Sequence, residues 1–498
     1  MAKRRRLIAL LLVFTAAMTG LPGGALGASV EEDIVLPEPA ARENEMILGE
    51  SYAGDTREVT LYFVTEGSSN LTSAARAIRL EKGKTLVESA LSQLLNARFT
   101  AGVQSAASTD MQLIDVEFGC GIATVDLSIG SSGQLNDQTE LLRCVAIANT
   151  LLGIEGVEAV NILTGGRSDA ICSLPMGVFI AQNDSVPTLY ARLQSERESF
   201  LGDPSETIRR SAVVYFPTTN SLFLPELRTL DFASEGDFIT ALLDALKAGP
   251  QGAWQSFSPI PASDEEILAG QPALRVNEAG ERIVEIDFTA MLPNYLAFSG
   301  VDPWQLYGSI VLTLTSFVPE LDGVVIRIEG EPVSELAMGE QSLRFTGGLM
   351  RRSDFSANIG SSAALYFADS EGKLTCVECA VPQMNAAAPR SLLTTLVATP
   401  APDGLERVIP AEISAADILG VQIDGRIATV NLSGNFYTRC QSLTASEERS
   451  LIYAMVNTLA ELPGIGAVRF LVEGNTLDRL SQEIYLKTAL LPDPGLAG

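Results

Sequence analysis

A seven-residue stretch, Ile122-Ala123-Thr124-Val125-Asp126-Leu127-Ser128, is written three times in this chain, and that repetition limits what the chain can fold into. It returns as Ile283-Val284-Glu285-Ile286-Asp287-Phe288-Thr289 and as Ile427-Ala428-Thr429-Val430-Asn431-Leu432-Ser433. Each copy alternates apolar with polar or small residues, the pattern of an extended segment with one face buried and the other in solvent. A turn precedes each copy: Gly119 and Gly121, then Asn277 to Gly280, then Asp424-Gly425. A second β-prone run lies upstream, at Gln112 to Phe118, Ala273 to Val276 and Leu419 to Ile423. Each copy is therefore predicted to be half of a hairpin, with Asp424-Gly425 the strongest turn signal.

A second mark keeps the same period of about 150 residues. Leu61-Tyr62-Phe63 recurs as Val214-Tyr215-Phe216 and Leu365-Tyr366-Phe367. A helix is predicted after each opening strand. Thr85 with Glu88 forms a capping box ahead of the face Val87, Ala90, Leu91 and Leu94. Ile239, Leu242, Leu243 and Leu246 repeat that face, and Leu392, Leu393 and Leu396 follow Pro389 in the third copy. A second helix is predicted after each hairpin, started by Asp137 with Glu140, by Asp302-Pro303 with Gln305, and by Thr444 with Glu447. Asn-Thr-Leu occurs near its end twice, at 149–151 and 457–459. Each unit closes with a β-prone segment ending in glycine, at 157–165, 324–330 and 467–474.

The 498 residues divide accordingly into three α+β domains, expected at 57–185, 210–339 and 361–490, each a small mixed sheet packed against two helices. Residues 1–27 read as a signal peptide: Lys3 to Arg6, an apolar run from Leu7 to Met18, and small residues at Ala25-Leu26-Gly27. The mature chain is then expected outside the cytoplasm, with a membrane attachment only if that signal stays uncleaved. Residues 28–56 read as an acidic linker carrying Pro37 and Pro39.

Composition removes whole classes of function. A formal net charge of −27 repels phosphate backbones, so nucleic acid is not an expected partner. The chain has no histidine. Ser-His-Asp and Cys-His nucleophiles, histidine bases and His-ligated metals are excluded with it.

The opening Tyr-Phe strand, the Leu-rich first helix, the Ile-x-Thr-Val-Asp-Leu-Ser hairpin and the late Thr-Leu resemble the GerMN domain family of sporulation and spore-germination proteins. The resemblance covers roughly residues 57–180, 210–339 and 361–487. It implies an extracytoplasmic, non-enzymatic domain of ring-building-motif type, and it supplies no catalytic residue to carry over. Two departures stand out. The family's namesake resembles a lipoprotein at its N-terminus, whereas no cysteine precedes Cys120 here. Three copies occur where a pair is expected.

Candidate chemistry is sparse. Asp126 and Asp287 hold equivalent places and could be proposed as catalytic carboxylates, but Asn431 stands there in the third copy. An isolated strand-end Asp bonds nearby backbone, and that is the reading adopted. Cys376 and Cys379 form the single C-x-x-C. A zinc site wants four ligands and the third unit adds only Cys440, so a local or long-range disulfide is favoured over a metal in an exported chain, and two thiols in a β-prone segment are the plain alternative. Cys144 falls among apolar helix residues and Cys120 in a turn. Ser370 and Lys373 have S-x-x-K spacing but sit in a predicted turn rather than at a helix start. Trp254, Trp304, Tyr295 and Phe298 could line a glycan or peptide groove, or pack in a core.

No catalytic residue, cofactor or metal site is therefore expected. The expected function is that of a structural or interaction protein of the cell envelope in sporulation or germination. It would act on protein partners or by self-association, and the alternative is a cell-wall glycan or peptide binding module.

Overall fold

The structure is a computed structural model. It describes residues 34–35 and 56–495, except 66–68, 81–83, 97, 100–102, 105–110, 130–135, 182–183, 203–206, 253–254, 261–266, 339–340, 384–387, 463, 482–483 and 494. The expected signal peptide and nearly all of the acidic linker lie outside these residues. Among the described residues no helix is long and apolar enough to cross a membrane.

The first unit opens with a long antiparallel hairpin, β1 (Thr56–Thr65) and β2 (Leu71–Arg79). Helix α1 (Leu86–Asn96) follows, then the hairpin β3 (Leu113–Gly119) and β4 (Ile122–Leu127), helix α2 (Asp137–Leu152) and strand β5 (Ala159–Thr164). β5 pairs parallel to β4, with Ile122 opposite Ala159. Helix α3 (Val186–Gly202) runs after the unit and buries Val186, Leu189 and Leu193 in its core.

The second unit repeats the order with β6 (Ile208–Pro217), β7 (Phe223–Phe232), α4 (Glu235–Ala248), β8 (Ala273–Val276) and β9 (Arg282–Phe288). Two helices follow β9, α5 (Met291–Ser299) and α6 (Pro303–Thr315), before β10 (Gly323–Ile328). The third comprises β11 (Gly360–Ala368), β12 (Leu374–Pro382), α7 (Ala388–Ala398), β13 (Ile418–Asp424), β14 (Ile427–Leu432), α8 (Gly434–Cys440), α9 (Ala445–Ala460) and β15 (Ala467–Val472). The class is α+β, as expected. The opening hairpin is a ribbon of its own, separate from the mixed sheet.

Local signals account for these elements. Thr85 and Glu88 exchange capping bonds at α1, and the boxes at Asp302 with Gln305 and Thr444 with Glu447 are both complete. At α2 the cap is Asn136, one residue before the expected Asp137, because its side chain accepts from the Thr139 amide while its backbone is still extended. The Asn-Thr-Leu repeat also has a physical reason. Thr150, Thr313 and Thr458 are fully buried on α2, α6 and α9. Their hydroxyls accept from the amides of Tyr62, Tyr215 and Tyr366 at 3.0, 3.0 and 3.3 Å. These amides point away from the hairpin partner, so the second helix satisfies the free edge of the opening strand.

Each closing strand turns back through two residues of positive φ: Gly165-Gly166, Glu329-Gly330 and Glu473-Gly474. That is the backbone of a type I′ hairpin turn, which explains the glycine ending each unit. Glu329 and Glu473 also accept from the amides of Ala290 and Gly434, at the starts of α5 and α8.

The three units touch one another. Ile122, Ala159, Leu174 and Val178 of the first unit belong to the hydrophobic core of the second. Ser168 bridges to Pro319, and Val178 N–H donates to Ser211 at 2.8 Å. Between the second unit and the third, Phe223 bridges to Ile359 and Ala380 N–H donates to Gln255 Oε1 at 2.8 Å. Between the first and third, Cys120 N–H donates to Ser361 Oγ at 3.2 Å. The expected half-buried strand consequently holds for β14, which alternates, but not for β4, where five of six residues are buried because the second unit covers the outer face.

Candidate functional site

Asp126, Asp287 and Asn431 do the same job in all three units. Each Oδ1 accepts from the second amide of the closing turn: Gly166 at 2.9 Å, Gly330 at 3.0 Å and Gly474 at 2.8 Å. An amide oxygen accepts this bond as a carboxylate oxygen does, and Asn431 is tolerated for that reason.

Of the two readings of the C-x-x-C the plain one holds, since Cys120, Cys144, Cys172, Cys376, Cys379 and Cys440 are all free thiols. Cys376 and Cys379 lie three apart on β12, where successive side chains alternate, so one is exposed and the other buried. Burial pushes the thiols of Cys379 and Cys440 up to about 12 and that of Cys172 to about 11, and raises Cys120 and Cys144 as well. Such thiols stay protonated and are poor nucleophiles and metal ligands. Among the described residues no group of three or more Cys, Asp or Glu is placed to hold a metal ion. Ser370 and Lys373 sit in the β11–β12 turn, where Asp369 Oδ1 accepts from the amides of Glu371 and Lys373 at 2.9 Å.

Among the described residues the aromatics do not line a groove, and core packing is the use found for Trp304. Trp304 is 5% exposed and packs on Phe223 and Phe355, and its indole N–H has no partner among the described residues. Tyr295 is half-buried against the same core, whereas Phe298 is 93% exposed on α5. Trp254 lies outside the described residues.

What sequence reasoning missed is a charged junction. A cavity of about 490 Å³ lies where the first unit's hairpin meets the second unit and the segment leaving it, and Asp115, Glu117, Asp126, Arg167, Asp322, Arg351 and Arg352 line it. Arg352 and Glu117 form an ion pair at 2.5 Å with side chains 7% and 9% exposed. Arg352 also donates to Ser316 Oγ at 2.7 Å and Tyr215 Oη at 3.1 Å, with its guanidinium 5.3 Å from the Tyr215 ring centre. Burial raises the Glu117 carboxyl against the pull of Arg352, and burial also raises Asp126. Beside them Arg167 pairs with Asp322 at 2.8 Å, and Arg351 pairs with Glu281 at 2.5 Å. Glu117 and Arg352 are 235 residues apart in the chain, and no local pattern could have joined them. The one available clue was that the middle of β3, at Asp115 and Glu117, is acidic in the first copy alone.

Comparison with known proteins gives a consistent picture. The family model Germane, described as sporulation and spore germination, matches residues 60–170, 213–334 and 364–478. The tandem GerMN domains of the sporulation protein GerM from Bacillus subtilis are similar at 16% identity, covering 58% of this chain and 98% of that one, with a TM-score of 0.23. The first GerMN domain of the same protein is similar at 19% identity, covering 26% and 96%, with a TM-score of 0.22. No curated protein matches the sequence. With most of its length matched by three successive copies, the chain belongs to the Germane family of sporulation and spore germination proteins.

Proposed function

We propose that this chain is a non-enzymatic structural or interaction protein of the cell envelope, acting outside the cytoplasm in sporulation or germination through three GerMN-type modules at 57–185, 210–339 and 361–490. Residues 1–27 would export it, and the modules would work as ring-building-motif domains do, by matching surfaces with protein partners. The observation that carries this reading is the buried Arg352–Glu117 contact, in which the segment leaving the second module ties the first module to Ser316 and Tyr215 of the second. Its charged side chains are spent on each other across the junction, and burial keeps the thiols of Cys379 and Cys440 protonated. The binding-module alternative retains Phe298 as its solvent-facing aromatic among the described residues.

The test is a host strain lacking the chain. Spore formation or germination is expected to fail and to return on complementation. Normal spores that germinate at the normal rate would overturn the reading.

A further inference from the structure

The first unit's hairpin differs from its copies on the face it turns to the junction. Strand register sets Asp115 opposite Asp126 and Glu117 opposite Thr124, which places these side chains on one face. The third unit has Gly420 opposite Asn431 and Gln422 opposite Thr429. In the second, β8 ends at Ala273, opposite Glu285, before it reaches Asp287. Only the first copy therefore sets three carboxylates together here.

Two of these make no ion pair among the described residues, although the charge of Arg352 also acts on Asp126. Glu117 is met by Arg352, but the hydrogen bonds to Asp115 and Asp126 come from backbone, from Val116 and Gly166, each at 2.9 Å. Like charges directly opposite across strands destabilise a sheet. The turn does not require the charge, because Asn431 makes the same bond without it. Both carboxylates line the cavity, whose volume suits a small molecule or a peptide end. Arg167 and Arg351 line the same cavity, each already paired with one carboxylate, Asp322 and Glu281, and each guanidinium has further N–H donors to offer. Ile114 and Ile129, 55% and 64% exposed, add apolar surface to its lining.

We propose that this cavity binds an α-amino-acid head group, with its ammonium between Asp115 and Asp126 and its carboxylate at Arg167 and Arg351. A divalent cation fits less well, since calcium wants six to eight oxygens and magnesium an octahedron, whereas an ammonium has three protons to place. The inference does not depend on the scaffold reading, because the cavity binds or fails to bind such a ligand whatever the chain's role in spores.

The test is titration calorimetry on the purified full chain. L-lysine and diaminopimelate supply the head group, and a tripeptide carrying diaminopimelate supplies it within a peptide. Cadaverine offers the cation alone and glutarate the anion alone. The zwitterionic probes are expected to bind at least about tenfold more tightly than either control, the scale of one hydrogen bond to a charged group. Binding of free lysine or diaminopimelate would identify a free amino acid as the source, and binding of the tripeptide alone a peptide source. Asp126→Asn and Asp115→Asn are each expected to weaken binding by about tenfold or more while the unliganded protein melts at the same temperature or higher. A merely structural pair would lose stability instead. No binding by any zwitterionic probe, equal binding by cadaverine, or unchanged binding in both variants would overturn the proposal.

Discussion

Replacing Arg352 with methionine should uncouple the first unit from the second, and the size of the effect follows from its surroundings. The guanidinium is 7% exposed, and it forms an ion pair with Glu117, hydrogen bonds to Ser316 and Tyr215, and a cation–π contact with the Tyr215 ring. Methionine keeps most of the apolar stem but leaves the Glu117 carboxylate buried without a cation. Breaking one side of a buried pair costs about 3–5 kcal/mol. Glu117→Gln should cost less, about 1–3 kcal/mol, because Arg352 retains Tyr215 and Ser316. The double variant should cost less than the sum of the two, with a coupling of roughly 2–3 kcal/mol. The deficit of Arg352→Met should also depend on pH. Burial already raises the Glu117 carboxyl in the folded protein, and loss of Arg352 raises it further. An acid whose folded pKa exceeds its unfolded one stabilises fully below the unfolded value and loses that contribution as pH rises through the folded one. The variant's deficit should therefore be small near pH 4 and grow toward neutrality, by about 1.4 kcal/mol for each pH unit through which the pKa is raised. Urea denaturation of wild type, both singles and the double across that range would measure it. Strictly additive singles, or an Arg352→Met deficit that is below about 1 kcal/mol and flat with pH, would refute the reasoning.

Three further outcomes are expected. Thr458→Val removes the acceptor for the buried Tyr366 amide and should destabilise by about 1–3 kcal/mol in urea unfolding, with Thr458→Ser close to wild type. Gly308→Ala would drive a methyl group into the Phe223 ring and to within 2.8 Å of Phe355, so the melting temperature should fall, the overpacking cost of about 1–3 kcal/mol exceeding the gain in helix propensity of about 1 kcal/mol. Burial pushes the Asp169 carboxyl up to about 6, so stability should fall by on the order of 1–2 kcal/mol as pH rises from about 4 through 6. Asp169→Asn should flatten that part of the stability–pH curve, as measured by thermal melts at stepped pH.

Some of this protein was legible in the chain alone. Repeated strands, capping boxes and glycine turns are local devices, each set by residues a few positions apart. Thr85 with Glu88, Asp302 with Gln305 and Thr444 with Glu447 close their bonds wherever the helix lies. Asp126 as a backbone acceptor was readable too, because Asn431 stands in its place and only the acceptor oxygen is common to both. Long-range partners were not readable. The nearly identical stretches Ile122–Leu127 and Ile427–Leu432 differ in burial because the second unit covers the first, whereas among the described residues nothing equivalent covers the third. Cys376 and Cys379 look like a pair in sequence, yet strand alternation sends them to opposite faces. Trp304 reads as core before groove in the sequence, but only the structure supplies Phe223 and Phe355 as its neighbours. The sequence by itself determined the three α+β units, because hydrophobic period, caps and turns act within a few residues. Tertiary structure alone decided that Glu117 and Arg352 meet and that Asp115 and Asp126 share a cavity with Arg167 and Arg351, because those contacts depend on how finished units dock.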